Sequence, residues 1–166
     1  MNIREVKEFI SRQSIETEIF IGVDSEKLNV NGTWYADYAT AVVVHIDGKH
    51  GCKIFGKVER ERVYDVKENK HAMRLMTEVY KAAEIYQELE EVIGDRHVEI
   101  HLDLNPSEKH ASNIVVQQAI GYIKGTCNIS PEIKPNAFAA SYAADRLKFI
   151  LGSRCRSLED TGRITL

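Results

Sequence analysis

Ile19-Phe20-Ile21-Gly22-Val23-Asp24-Ser25 is a short apolar run closed by a carboxylate and a hydroxyl. A run of this length bounded by polar residues reads as a buried strand. An acid placed where such a strand runs out is held rigidly and can face a ligand. The pattern recurs at Val98-Glu99-Ile100-His101-Leu102-Asp103, and a third aspartate, Asp145, stands in Ala143-Ala144-Asp145-Arg146-Leu147. Carboxylate oxygens in these positions are the donors that hard divalent cations take.

Outward from that first strand, Tyr38 to Ile46 and Cys52 to Val58 read as two more strands. Asn29 to Gly32 and Asp47-Gly48-Lys49-His50-Gly51 carry turn chemistry, which predicts an antiparallel meander of three strands. From His71 to Ile93 the apolar period becomes helical, through Leu75, Met76, Val79, Ala82, Ala83, Tyr86, Leu89 and Ile93, and Gly94 stops it. Strand four is His97 to Leu104, and Ser107 can cap a helix running to Lys124. A short strand from Glu132 to Lys134 leads through Pro135-Asn136 into a last helix from Ala137 to Leu151, whose Phe138, Tyr142 and Phe149 suggest that both its faces are covered. The predicted class is α/β: a mixed five-stranded sheet, three antiparallel strands then parallel strands, flanked by helices. One domain spans 1–166, with an amphipathic N-terminal helix over 1–13 and a loosely held tail over 152–166. The Glu59-Arg60-Glu61-Arg62 run reads as a solvated connector.

With 166 residues the chain can bury roughly 70% of the surface its unfolded form exposes, so no staple is needed. Cys52, Cys127 and Cys155 are odd in number and form no C-x-x-C pair, which argues against a disulfide framework or a zinc knuckle. The N-terminus mixes charges from the start and no stretch approaches a spanning length, so a cytoplasmic location is expected. A net charge of −3 excludes little, because clustered acids that hold metal would lower it while a basic face persists.

Right-handed crossovers put strand four parallel to strand one, which brings Asp24 and Asp103 to one sheet edge. A carboxylate from the long helix would complete a set for Mg²⁺ or Mn²⁺. At 100° per residue Glu78 falls on the flank of the apolar stripe, within reach of that edge, whereas Glu84 and Glu88 point away. His101 is expected to face away from Asp103 and to pack, and His110 to lie on the surface. Asn105, Lys109 and Asn113 share one helical face after Asp103, and Lys134 precedes Pro135; all four suit phosphate contacts.

These residues carry a resemblance. Ile21-Gly22-Val23-Asp24-Ser25, His101-Leu102-Asp103-Leu104-Asn105-Pro106 with Lys109 and Ser112-Asn113, Gly121-Tyr122-Ile123-Lys124-Gly125, and Lys134 to Ser141 running into Asp145 resemble the ribonuclease H-like superfamily, above all its YkuK-type branch. The resemblance covers Ile19 to Leu151. It implies a divalent-metal-dependent nuclease in which Asp24, Asp103, a helical glutamate and Asp145 hold two Mg²⁺ or Mn²⁺ ions, with Ser25 and the polar residues after Asp103 near a nucleic-acid substrate. One departure concerns the helix. Where ribonuclease H proper has Met-Glu-Leu, this chain has Met73-Arg74-Leu75, which leaves Glu78, one turn on, as the helical acid.

Two other readings come from the same residues. Arg74 in place of an acid suits a binding module that has kept the fold, lost catalysis, and holds nucleic acid or a protein. Gly22-Val23-Asp24-Ser25 faintly resembles the first phosphate loop of the actin and sugar-kinase group, but the chain offers neither the glycine-rich loop nor the second domain that such phosphotransferases need.

Overall fold

The computed structural model describes residues 1–63, 70–105, 113–147 and 164–165. The sheet opens with β1 (Glu18–Val30), β2 (Thr33–His45) and β3 (Cys52–Arg62). They pair antiparallel, Asp24 opposite Ala39 and Ala39 opposite Val58. All three run further than the apolar pattern indicates. Beyond Asp24 the residues of β1 are polar or half-exposed, so burial left no signature there, and main-chain pairing sustains the strands. Asn31 and Gly32 close that hairpin with φ of 50° and 82°, the two positive angles of a type I′ turn, for which Asn-Gly is the favoured pair.

The same extension corrects the reading of Glu59-Arg60-Glu61-Arg62, which is not a connector but the end of β3. Alternation sends its charges to opposite sides. Arg60 grips Asp37 with Nε and Nη2, each 2.7 Å from a carboxylate oxygen, while Glu59 and Glu61 both pair with Lys81 of the next helix. Burial would raise the Glu59 carboxyl, but Lys57 and Lys81 outweigh it and hold it below its usual range.

That helix is α2 (Lys70–Ile93), followed by β4 (Val98–Leu102), α3 (Asn113–Cys127) and β5 (Glu132–Ile133). β4 lies parallel to β1, with Val23 opposite Leu102, and β5 lies parallel to β4. A two-residue β6 (Ile164–Thr165) pairs with β3 and makes the sheet order β5-β4-β1-β2-β3-β6. The mixed α/β sheet is thus as expected, with one short strand added. That strand is drawn from the tail expected to be loose. Ser107, Lys109, His110, Cys155 and the rest of the tail lie outside the described residues. Cys52 is an exposed free thiol and Cys127 a buried one.

One face of the sheet carries the main core. α1 (Ile3–Ser11), capped by Asn2 Oδ1 accepting from the Arg4 N–H at 3.1 Å, packs there with α2 and α3. Ile19, Ile21 and Val23 of β1 and Ile100 and Leu102 of β4 meet Val79, Ala83 and Leu89 of α2 and Val115, Ala119 and Ile123 of α3. Each of the Val, Leu and Ile side chains among them stabilises the fold by roughly 1.5–3 kcal/mol.

The opposite face is covered by α4 (Ala139–Ala144), a π-helical segment, and here small residues bring main chains together. A Cβ on Gly22 would collide with the main chain of Ala139 and Ala140, lying 2.6 Å from the Ala139 carbonyl oxygen. Ala39 and Ala41 meet Ala144, and Leu147 fills the space over Gly56. His101 fastens α4 to β4: fully buried, its Nδ1 accepts the Ala139 N–H at 3.0 Å while Nε2 lies 2.8 Å from Glu99. Its expected orientation needs correcting, since a residue two places before Asp103 shares its side of the strand. The outer side of α4 is not covered either, because Phe138 is 39% and Tyr142 74% exposed.

Candidate carboxylate site

Asp24 lies within β1, one residue past Val23, and Asp103 directly follows β4. Since Val23 pairs with Leu102 in parallel, the next residue on each chain is one of the two aspartates, and both stand at the same end of the sheet. They turn to the α4 side. Asp24 follows the alternation of Gly22, and Asp103 Oδ1 accepts a 2.8 Å hydrogen bond from Ser141 Oγ of α4. Lys134 Nζ stands 2.9 Å from the same oxygen, brought there because its own N–H donates to the Leu104 carbonyl as an extension of the β4–β5 pairing. The Asp24 Oδ1 accepts the Ser25 N–H at 2.8 Å.

The other side of the sheet edge is built by α2. Ser25 alternates with Val23 toward that helix and donates its hydroxyl to Glu78 Oε1 at 2.5 Å. Arg74, one turn before Glu78, places Nη1 2.9 Å from the Ser25 carbonyl oxygen and 3.1 Å from Glu78 Oε1. Arginine and glutamate four residues apart on a helix are side-by-side neighbours, so the local sequence alone favours this pair. Glu78 is only 3% exposed.

Burial pushes the Glu78 carboxyl up to about 8; the Ser25 hydrogen bond and the Arg74 charge oppose the rise, and the negative charges of Asp24 and Asp103 add to it. The three carboxylates therefore feel one another across the sheet edge. Tyr38, the β2 partner of Ser25, is raised mainly by burial, and Glu78 adds to the rise.

Asp145 follows Ala144, which packs on Ala39, the β2 partner of Asp24. It is exposed and lies one turn beyond Ser141. Asn105 is half-buried just past Leu104, Asn113 is the first residue of α3, and Lys109 lies outside the described residues. Arg74 and Ser141 were not singled out as site residues from the sequence. The i, i+4 spacing of Arg74 to Glu78 was a usable signal. For Ser141 only its place in the Lys134 to Ser141 stretch pointed that way.

Hard oxygen donors in mutual repulsion are what a divalent cation relieves, so the donor chemistry fits Mg²⁺ or Mn²⁺. The side chains as they stand are less committed: among the described residues no three His, Cys, Asp or Glu are grouped so as to hold a metal ion.

A mixed sheet of this order, with one aspartate within β1 and another just past β4 at the same sheet edge, defines a ribonuclease H-like α/β domain. The family described as "Ribonuclease H-like" matches residues 2–148, and the chain belongs to this YkuK-type ribonuclease H-like family. No curated protein and no solved structure matches the chain. Membership supports a nuclease or nucleic-acid-binding role, in a family that usually uses divalent metals. Among the described residues no helix is long and apolar enough to cross a membrane.

Proposed function

We propose that the protein hydrolyses phosphodiester bonds in nucleic acid at the sheet edge where Asp24 and Asp103 stand. The observation that carries this reading is the parallel pairing of β1 and β4, which sets Asp24 and Asp103 side by side at one sheet edge; Glu78 lies near enough for both to add to a rise of its carboxyl that burial chiefly causes. Asp24, Asp103 and Glu78, with Asp145 on the outer side, are the residues that would hold Mg²⁺ or Mn²⁺. When bound, such ions supply a nucleophilic water at neutral pH and stabilise the leaving oxygen. The chain's own groups do the rest. Ser141 orients the Asp103 carboxylate; Lys134, at 42% exposure, can leave Asp103 for a substrate phosphate; Ser25 and Asn105, and from the sequence Lys109 and Asn113, would contact the substrate backbone.

Pairing of Arg74 with Glu78 favours a second reading, a module that binds nucleic acid without cutting it. Cleavage assays on DNA, RNA and hybrid substrates with Mn²⁺ separate the two. Hydrolysis by the wild type that Asp103→Asn abolishes is the expected result. Wild-type protein that binds the panel and cuts none of it would establish the module instead.

A further inference from the structure

Beyond Asp24, β1 and β2 continue past the end of β4 as an arm closed by Asn31-Gly32, with β3 paired along β2 as far as Tyr35 and the Val63 N–H donating to the Trp34 carbonyl at 2.8 Å. The arm leaves the domain at the edge where Asp24 and Asp103 stand. On its α2 side, the side of Ser25, it carries Lys27 and, opposite Asn29, Trp34. Trp34 is 44% exposed, and Lys27 Nζ lies 5.4 Å from the centre of its ring. At about 3.3 Å per residue, Trp34 is roughly 13 Å along the strands from Ser25, a distance a few nucleotides of single strand cover.

A large aromatic side chain 44% exposed near the end of the arm, with a lysine ammonium over its ring, offers solvent a broad π-surface next to a positive charge. Every base has a π-face that such a ring can stack on, and the Lys27 ammonium, which lies over the ring, can turn from it to the phosphate of the base that takes its place. In a closed duplex both faces of each base are already occupied by neighbours, so only an unpaired base can lie on Trp34. We propose that Trp34 and Lys27 form a stacking platform that receives an unpaired base and holds single-stranded nucleic acid at the sheet edge beside the carboxylate site. The platform names the substrate class for the proposed function and rests on that site handling nucleic acid.

Trp34 is the sole tryptophan of the chain, so its fluorescence reports on the platform directly. The experiment titrates the full chain, in EDTA so that no cleavage intervenes, with a single-stranded oligonucleotide and with a dumbbell duplex closed at both ends by non-nucleotide linkers, so that it holds no unpaired base. Binding is followed by tryptophan quenching and by the anisotropy of a labelled oligonucleotide. The single strand is expected to quench Trp34 and the dumbbell to leave it unchanged. Trp34→Ala should weaken single-strand binding about 5- to 100-fold and Trp34→Phe much less. Lys27→Ala should flatten the logarithmic salt dependence by roughly 0.7. Absence of quenching by the single strand, equal quenching by the dumbbell, or unchanged affinity of Trp34→Ala would each overturn the platform. Because these readings need no turnover, quenching without hydrolysis refutes only the nuclease reading, and hydrolysis without quenching refutes only the platform.

Discussion

On the α2 side of the sheet edge, Glu78 is enclosed at 3% exposure and held by Ser25 and Arg74, both reaching it from fixed secondary structure. On the α4 side, the Asp103 side chain is 22% exposed and its partners are a serine on a π-helical segment and the half-exposed end of Lys134. One carboxylate answers to its burial, the other to groups that can swing away. The lesson is that a cluster of like acids need not act alike: the enclosed member has a pKa raised chiefly by its burial, with the charges of the other two adding to it, and the open member is left ready to exchange partners.

The sharpest way to test that contrast is to remove the Glu78 charge. Its carboxyl titrates near 8 in the fold against 4.5 in the unfolded chain, so the native state binds the proton more tightly. The stability this provides is complete below about pH 4.5 and is lost as pH rises through 8. Metal-free Glu78→Gln should therefore match the wild type near pH 5 and exceed it at pH 9 by a margin on the order of 4 kcal/mol. Urea denaturation across that range reads the margin, and a flat difference between the two proteins would show that Glu78 is not enclosed as described.

The α4 side should break instead at its main-chain contact. Gly22→Ala sets a methyl against the backbone of Ala139 and Ala140, where nothing can rotate aside, and should cost about 3 kcal/mol. Gly56→Ala meets only the Leu147 side chain and should cost less. Equal thermal midpoints for the two variants would mean that α4 yields as easily as a leucine.

The smallest effects come from the two cations. Arg74→Met removes a partner from buried acceptors and should cost about 2 kcal/mol, whereas Lys134→Ala removes an exposed ion pair and should cost less than about 1 kcal/mol. Comparable losses in a denaturant series would erase the distinction between the two sides.

Much of this arrangement was legible in the chain because burial writes itself into periodicity. Ile19 to Val23 and Val98 to Leu102 announce buried strands, and the α2 stripe announces a helix, so Asp24, Asp103 and Glu78 could be placed at one edge. What periodicity does not record is a strand held by main-chain bonds in solvent. The arm beyond Asp24 and the charged end of β3 were therefore missed, and with them Lys27 and Trp34. The outer face of α4 was misjudged for a related reason: Phe138 and Tyr142 look like core residues by composition, but the core there needed alanines so that two backbones could touch. Arg74 was read as a missing acid, when its spacing made it a partner for the acid one turn on.

The touching of Gly22 on Ala139 and Ala140 has a mechanical consequence. A contact between two main chains contains no rotamers and cannot be made thinner, since hydrogen is the smallest group a residue can offer. The gap between β1 and α4 is thus a fixed length at that point, and substitution elsewhere in the core cannot tune it. How far Ser141 stands from Asp103 is therefore set by the two side chains and not by the spacing of β1 and α4 at Gly22.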